Sequence, residues 1–359
     1  MLSCLILLGH LALGPSAASD VVLGGLDPIA LASGVESSGL AELEVVHGRF
    51  TYRFADQANR DRFAAEPERW AVQWGGACGR MGPLSGLGSP DRWLVHDGRI
   101  WLFASDGCRE GFLSAPERFA VTAQPLPQLD PERVARGIRW MERATRAHGG
   151  ADAIAAAGSL HLGASKTADG WTVARELRLT SDAGLRRKSA WTKGDDAQPT
   201  WDSVWEIEAE AYVLEEGERF SITSPDLLGD LRRVAHREPL AHLWAQGSED
   251  FLILDLGPGE LAGSAVENVL VHHDDLSTTL HLDSESARIV GLSWTGRLDS
   301  GLTTRQVETF SDWREVSGVL IPMGHSVTID GEPRPSSAVL WNEVARERRE
   351  PLAREDSSR

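Results

Sequence analysis

From Ser159 to about Glu343, apolar and polar positions alternate in short runs broken by turn residues. Residues 171–180 read WTVARELRLT, where Val173, Arg175, Leu177 and Leu179 recur at every second place. That period sends successive side chains to opposite faces of a strand. Similar runs fill 203–214, 218–223, 251–256, 265–272, 277–282, 287–295, 303–313 and 319–329, with turn signals at Asp182-Ala183-Gly184, Asp274-Asp275 and Asp330-Gly331. A parallel sheet needs a helix between most strands, and the pattern shows none, so it predicts an antiparallel meander. Ahead of it the period changes. Residues 131–148 place Ile138, Met141 and Thr145 on one helical stripe, with Asp130 as cap, Pro131 in the first turn and Gly149-Gly150 as the stop. A second short helix is expected over 151–157, and 124–130, with two prolines, reads as a linker.

The N-terminal hundred residues follow a different plan, because one stretch occurs twice. Residues 48–71 (GRFTYRFADQANRDRFAAEPERWA) match residues 98–120 (GRIWLFASDGCREGFLSAPERFA). Phe54 aligns with Phe103, Arg60 with Arg109, Phe63 with Phe112, and Pro67-Glu68-Arg69 with Pro116-Glu117-Arg118. Each copy predicts a short strand followed by a helix, capped by Asp56 or Ser105, with Phe63 or Phe112 on its buried face. Self-similarity of this kind marks one small unit used twice. The expected class is therefore α+β: a small duplicated module over 21–123, an antiparallel sheet domain with N-terminal helices over 130–345, and a charged, frayed tail over 346–359.

Composition narrows the functions. A formal charge of −17 over 359 residues repels nucleic acid and anionic membrane surfaces. Thirteen tryptophans against two tyrosines is an unusual ratio, read as core filling. Leu2 to Leu13 form an apolar run, too short to span a bilayer, followed by Gly-Pro and small residues. This predicts an export signal over 1–19, cleaved near Ser19, and a periplasmic or secreted protein, although the segment before the run lacks Lys or Arg.

After cleavage two cysteines remain, Cys78 and Cys108, flanking the second copy. Three readings stand: a disulfide suited to export, a metal site, or inert buried thiols. His96 and Met81 are the further candidate ligands, and with two thiolates this donor set would take copper(I) or zinc. No Cys-x-x-Cys pair is present, so thiol redox catalysis is not expected. His272-His273-Asp274-Asp275, with His281 and Asp283, reads as a solvated hairpin tip rather than a site. Gly257 to Ala262 fits G-x-G-x-x-A loosely, but a strand follows where a dinucleotide site needs a helix, and Pro258 suits a turn. Glu206, Glu208, Glu210, Glu215, Glu216 and Glu218 read as solvated faces of acidic strands. No catalytic motif is found, and no enzyme is expected.

Two resemblances bear on these expectations. Asp27-Pro28-Ile29, Cys78-Gly79-Arg80-Met81 and Phe103-Ala104-Ser105-Asp106-Gly107-Cys108 resemble a tandem YHS-type module, related to the TRASH metal-binding modules. The resemblance implies that Cys78 and Cys108 stand for the family's first and last cysteines and converge, with Ala104 in place of a middle one. In the first copy Ala30 and Asn59 stand where cysteines would be. Gly149-Gly150, residues 280–294 and residues 310–333 (FSDWREVSGVLIPMGHSVTIDGEP) are similar to the LolA/LolB lipoprotein-carrier superfamily. That implies a half-closed antiparallel barrel, with helices lidding an apolar concave face, and brings no catalytic residue. Together they imply an exported protein binding metal through the second repeat and a lipid or apolar small molecule through the half-barrel. The first rival is a structural or interaction protein with a Cys78–Cys108 disulfide and no metal; a second is an enzyme of unknown type, which would require a cleft where perturbed acidic or histidine groups converge.

Overall fold

The structure is a computed structural model. It describes residues 20–81, 87–119, 126–168, 170–194, 196, 198–199, 201–207, 211–215, 218–222, 225–297, 303–334, 339–341 and 343–345. The expected leader over 1–19 and the tail over 346–359 lie outside the described residues.

The internal repeat is visible as a repeated fold. The first copy comprises β1 (Asp20–Val21), α1 (Pro28–Ala32), the hairpin β2 (Leu40–His47) and β3 (Phe50–Phe54), then α2 (Gln57–Ala65) and α3 (Pro67–Trp70). The second has the hairpin β4 (Ser89–His96) and β5 (Arg99–Phe103), then α4 (Asp106–Leu113) and a 3-10 turn at Pro116–Arg118. The duplication extends further upstream than the aligned stretch. Val22–Gly25 and Gln73–Gly76 both form 3-10 turns, and both bury a non-glycine residue in the left-handed region, Leu23 at φ 63° and Trp74 at φ 55°. Asp56 and Ser105 cap their helices through the amides of Asn59 and Cys108, and Phe63 and Phe112 are fully buried beneath them.

The second domain opens with α5 (Pro131–Ala147) and α6 (Ala151–Ala156). Asp130 caps α5 by accepting the Arg133 amide. The contact face of α5 is rotated from the expected stripe: Gly137, Met141 and Ala144 are buried, whereas Ile138 is exposed. A Cβ at Gly137 would stand 3.0 Å from the Ile253 side chain, so the absence of a side chain is what lets this helix approach the sheet.

Two antiparallel meanders follow. Strands β6 (Ser159–Ala168), β7 (Trp171–Thr180), β8 (Leu185–Lys193), β9 (Trp201–Ile207), β10 (Ala211–Glu215) and β11 (Glu218–Ser221) run in sequence order. After a helical pair, α7 (Pro225–Ala235) and α8 (Pro239–Ala245), come β12 (Leu252–Leu261), β13 (Ser264–His273), β14 (Leu276–Asp283), β15 (Ile289–Arg297), β16 (Thr303–Val316) and β17 (Val319–Ile329), extended by β18 (Glu332–Pro333). The final segment joins the two sheets: β19 (Val339–Leu340) pairs with β17, and β20 (Glu343–Ala345) pairs with β6. Among the described residues the result is an open antiparallel surface and no closed barrel.

α7 and α8 are absent from the sequence expectation of an uninterrupted meander. Their apolar residues Leu227, Leu231, Leu240 and Leu243 join a single cluster with Met141, Val269, Val271, Leu280, Leu292 and Met323 from α5 and the sheet. Gly257-Pro258 lie within β12, past a bulge between Asp255 and Gly257, rather than in the expected turn. No described helix is long and apolar enough to cross a membrane.

Candidate functional site

The expected thiol site divides. Cys78 is buried, and its Sγ accepts the Ala104 amide at 3.3 Å; burial, before any other cause, pushes its pKa up. Cys108 packs against the same aromatic cluster as Cys78. Both are free thiols, so the expected disulfide is not formed. His96 turns to Asp97 (3.6 Å) and lies edge-on to Phe112, and Met81 is exposed. Among the described residues, no set of three His, Cys, Asp or Glu side chains with converging ligand atoms includes Cys78, Cys108 or His96.

The first repeat shows what this position does structurally. Asp27, not Ala30, is the counterpart of Cys78. Both directly follow a residue bridged across to the next strand segment, Leu26 to Ser38 and Ala77 to Leu87. Asp27 Oδ2 accepts the Ala55 amide, as Cys78 accepts that of Ala104, and also accepts Asn59 Nδ2 at 2.8 Å. Asn59 is the counterpart of Cys108. A hydrogen-bonded Asp–Asn tie in one copy is thus replaced by a thiol pair in the other.

A second constellation, unforeseen from sequence, lies at the α7–α8 turn. Three consecutive polar residues follow α7, with His236 and Glu238 buried and Arg237 half-buried, and Pro239 then starts α8. Arg237 Nε donates to Glu308 Oε2 at 2.9 Å and its Nη2 to Oε1 at 3.3 Å. His325 Nδ1 donates to Glu308 Oε1 at 2.9 Å. His325 Nε2 faces Glu238 Oε2 at 3.8 Å, and the Trp341 side chain stands beside the same carboxyl. Burial pushes Glu238 up to about 7. Burial would raise Glu308 too, but the Arg237 guanidinium and His325 outweigh it and bring it down to about 2. Burial lowers His325, yet the two carboxylates outweigh it and the net direction is up. With one proton shared between His325 and Glu238, the charges of the four groups cancel. A cleft of about 70 Å³ opens onto them, lined also by Arg175, Arg187, Val234 and Trp341. That is room for a few water molecules and not for an acyl chain.

His236 points the other way, toward His242, His273 and Asp274, so the expected solvated hairpin tip is corrected. The turn at 274–275 is where the alternation placed it, but His273 is buried and Asp274 half-buried beneath α7 and α8. His272 bonds Ser277, and His281 bonds Asn268 and Ser293, so neither joins this group. Glu206 is also buried, accepting the Tyr212 hydroxyl, rather than solvated; Glu208, Glu210 and Glu216 lie outside the described residues.

No protein-family model matches the sequence, and no curated protein matches it. Among solved structures, a putative outer membrane lipoprotein-sorting protein domain from Vibrio parahaemolyticus is similar over 60% of this chain and 93% of its own, at 12% identity and TM-score 0.36. A DUF1329 family protein from Desulfovibrio piger covers 59% of this chain and 93% of its own, at 10% identity and TM-score 0.37. A LolA superfamily protein from Nitrosomonas europaea covers 60% of this chain and 94% of its own, at 10% identity and TM-score 0.36. At such identities and scores these are likenesses that carry no weight for function, which rests on the geometry above.

Proposed function

We propose that the protein is an exported binding protein that takes an apolar ligand of the acyl-chain type beneath the α7–α8 hairpin, which acts as a displaceable plug. The observation that supports this reading is the contrast between the hairpin's two modes of attachment. Its underside is apolar, yet the turn joining its helices is held by buried ionisable groups. A buried ion pair contributes little net stability relative to apolar residues of the same volume. It does, however, regain hydration when exposed, which lowers the cost of lifting the turn. Exposing Leu227, Leu231, Leu240 and Leu243 costs roughly 1.5–3 kcal/mol each, about 6–12 kcal/mol together. At about 0.8 kcal/mol per buried methylene, a chain of roughly 8–15 methylenes restores that amount. Four leucines are thus replaced by one acyl chain of ordinary length.

Export rests on the apolar run before Pro15 and is checked by N-terminal sequencing of protein from its host. A start at Ser19 or Asp20 fits the reading, and an intact Met1 refutes it. Binding is tested by titrating the full chain with cis-parinaric acid and following energy transfer from Trp244 and Trp294, which lie on α8 and β15. Saturable binding is expected, severalfold tighter in Arg237→Met, because Glu308 then lies buried without its guanidinium partner and gains more from the lifted turn. Absence of saturable binding in both proteins overturns the carrier reading.

A further inference from the structure

We infer that His236, His242 and His273 form a site for a divalent transition-metal ion of the zinc type, with Asp274 orienting two of the three rings. One ring nitrogen from each histidine lies within 4.8 Å of the other two, and all three residues are buried. Two come from one hairpin, His236 directly after α7 and His242 six residues on in α8, and the third, His273, comes from the end of β13.

The hydrogen bonds assign the tautomers. His242 Nε2 faces the His236 carbonyl oxygen at 2.8 Å, so it carries a proton and leaves a lone pair on Nδ1. His236 Nε2 lies 3.2 Å from Asp274 Oδ2, and His273 Nδ1 lies 3.3 Å from the same oxygen. Both nitrogens are donors to a carboxylate. Each histidine therefore has one N–H satisfied by an oxygen acceptor. The remaining nitrogens are His236 Nδ1, His242 Nδ1 and His273 Nε2.

Those three are otherwise poorly accounted for. His236 Nδ1 is buried with no hydrogen-bond partner among the described residues. His242 Nδ1 and His273 Nε2 face each other at 2.9 Å. With the other nitrogens protonated, two lone pairs meet there unless a proton or a cation lies between them. A shared proton would make the group an imidazolium, balanced by Asp274. A metal ion would take the place of that proton and also use the His236 lone pair. Three imidazole nitrogens, each backed by an oxygen acceptor on the far side of its ring, form the usual first and second shells of a histidine metal centre.

Two features limit affinity. Zn–N bonds of about 2.0–2.1 Å set ligand nitrogens roughly 3.3 Å apart, so the His242–His273 pair, at 2.9 Å, must open and His236 must settle at that same distance from both. The rings of His236 and His273 are stacked at 4.0 Å and 22°, and one must tilt to aim at a common point. Arg233, bonded to Thr278 at 2.7 Å, is the nearby opposing charge. Asp250 supports Asp274 from outside by accepting its amide at 2.9 Å.

The test uses the full chain, freed of metal by chelator, titrated with Co²⁺ as a spectroscopic substitute for Zn²⁺. Visible d–d bands of a low-coordinate nitrogen-ligated ion are expected at one equivalent, displaced by Zn²⁺. They should be lost in His236→Gln and His273→Gln. Asp274→Asn, which keeps the three ligands, should weaken binding by about 10–100-fold. It decides the matter if the histidine variants do not fold. No band in the unaltered chain, or bands and affinity unchanged in all variants, overturns the inference. So does a near-ultraviolet thiolate-to-cobalt band that disappears on replacing Cys78 and Cys108, because the ion would then lie in the N-terminal module.

Discussion

Acidification should weaken this fold through His148, at the C-terminus of α5. The ring is buried, with Nδ1 2.9 Å from the Leu320 carbonyl oxygen and Nε2 accepting the Ile289 amide at 3.1 Å. One nitrogen must therefore donate and the other accept, which describes a neutral imidazole. Adding a proton to Nε2 would set N–H against N–H. Burial, the largest cause, lowers the pKa to about 4. The folded ring holds its proton less tightly than the unfolded one, so its contribution is complete above about pH 6.5 and is lost as pH falls toward 4. At about 1.4 kcal/mol per unit, the deficit at about pH 5 is roughly 2 kcal/mol and approaches about 3 kcal/mol below pH 4. Urea unfolding of the native chain and of His148→Asn at about pH 7.5 and about pH 5 measures it. The variant should be less stable at the higher pH by about 1–3 kcal/mol, because the Ile289 amide loses its acceptor. It should then lose about 2 kcal/mol less on acidification, other buried histidines cancelling in the difference. Equal losses in the two proteins would refute the assignment of a neutral, doubly bonded His148.

Gly149→Ala should be severely destabilising, by about 3 kcal/mol or more, since its Cβ would stand 2.0 Å from the Gly318 carbonyl oxygen at φ +115°; a thermal midpoint within a degree or two of the parent contradicts this. Asp27→Ala removes the acceptor for Ile29, Ala30, Ala55 and Asn59 and should cost at least about 2 kcal/mol by chemical denaturation. Asp27→Asn should recover part of that loss. A thiol count under native conditions on protein begun at Ser19 or Asp20, and so without Cys4, should find Cys108 reactive and Cys78 protected until the protein unfolds, for a total of two; a count of zero in denaturant would restore the disulfide.

Local signals read true where a single residue decides the structure. Asp56, Ser105 and Asp130 were legible as caps because an oxygen three residues ahead of an amide is a property of the chain alone. The duplication was legible from aligned apolar positions, although its upstream 3-10 turns were not, since VLGG and QWGG share only their glycines. Ile138 misled because a hydrophobic residue on a helix reads as a contact. The true contact is Gly137, whose value lies in closeness to β12 rather than in its own area. The hairpin of α7 and α8 was missed because each helix is short and the polar HRE between them breaks the apolar period. The same break is the signal that could have marked the site: three consecutive ionisable residues between two apolar helical segments, with a second histidine six residues on. Glu308 and His325 could not be found in this way, because they sit on alternating strands as ordinary polar positions, and only the register of β16 with β17 brings them to the turn.

Hydrogen exchange of the full chain, with and without a saturating acyl-chain probe, tests the displaceable plug most directly. The account expects amides over 225–245 to exchange faster when the probe is bound, because the hairpin leaves the face that the ligand covers, while amides of β13 to β17 stay as protected or become more so. Unchanged or slower exchange over 225–245 at demonstrated saturation would contradict it.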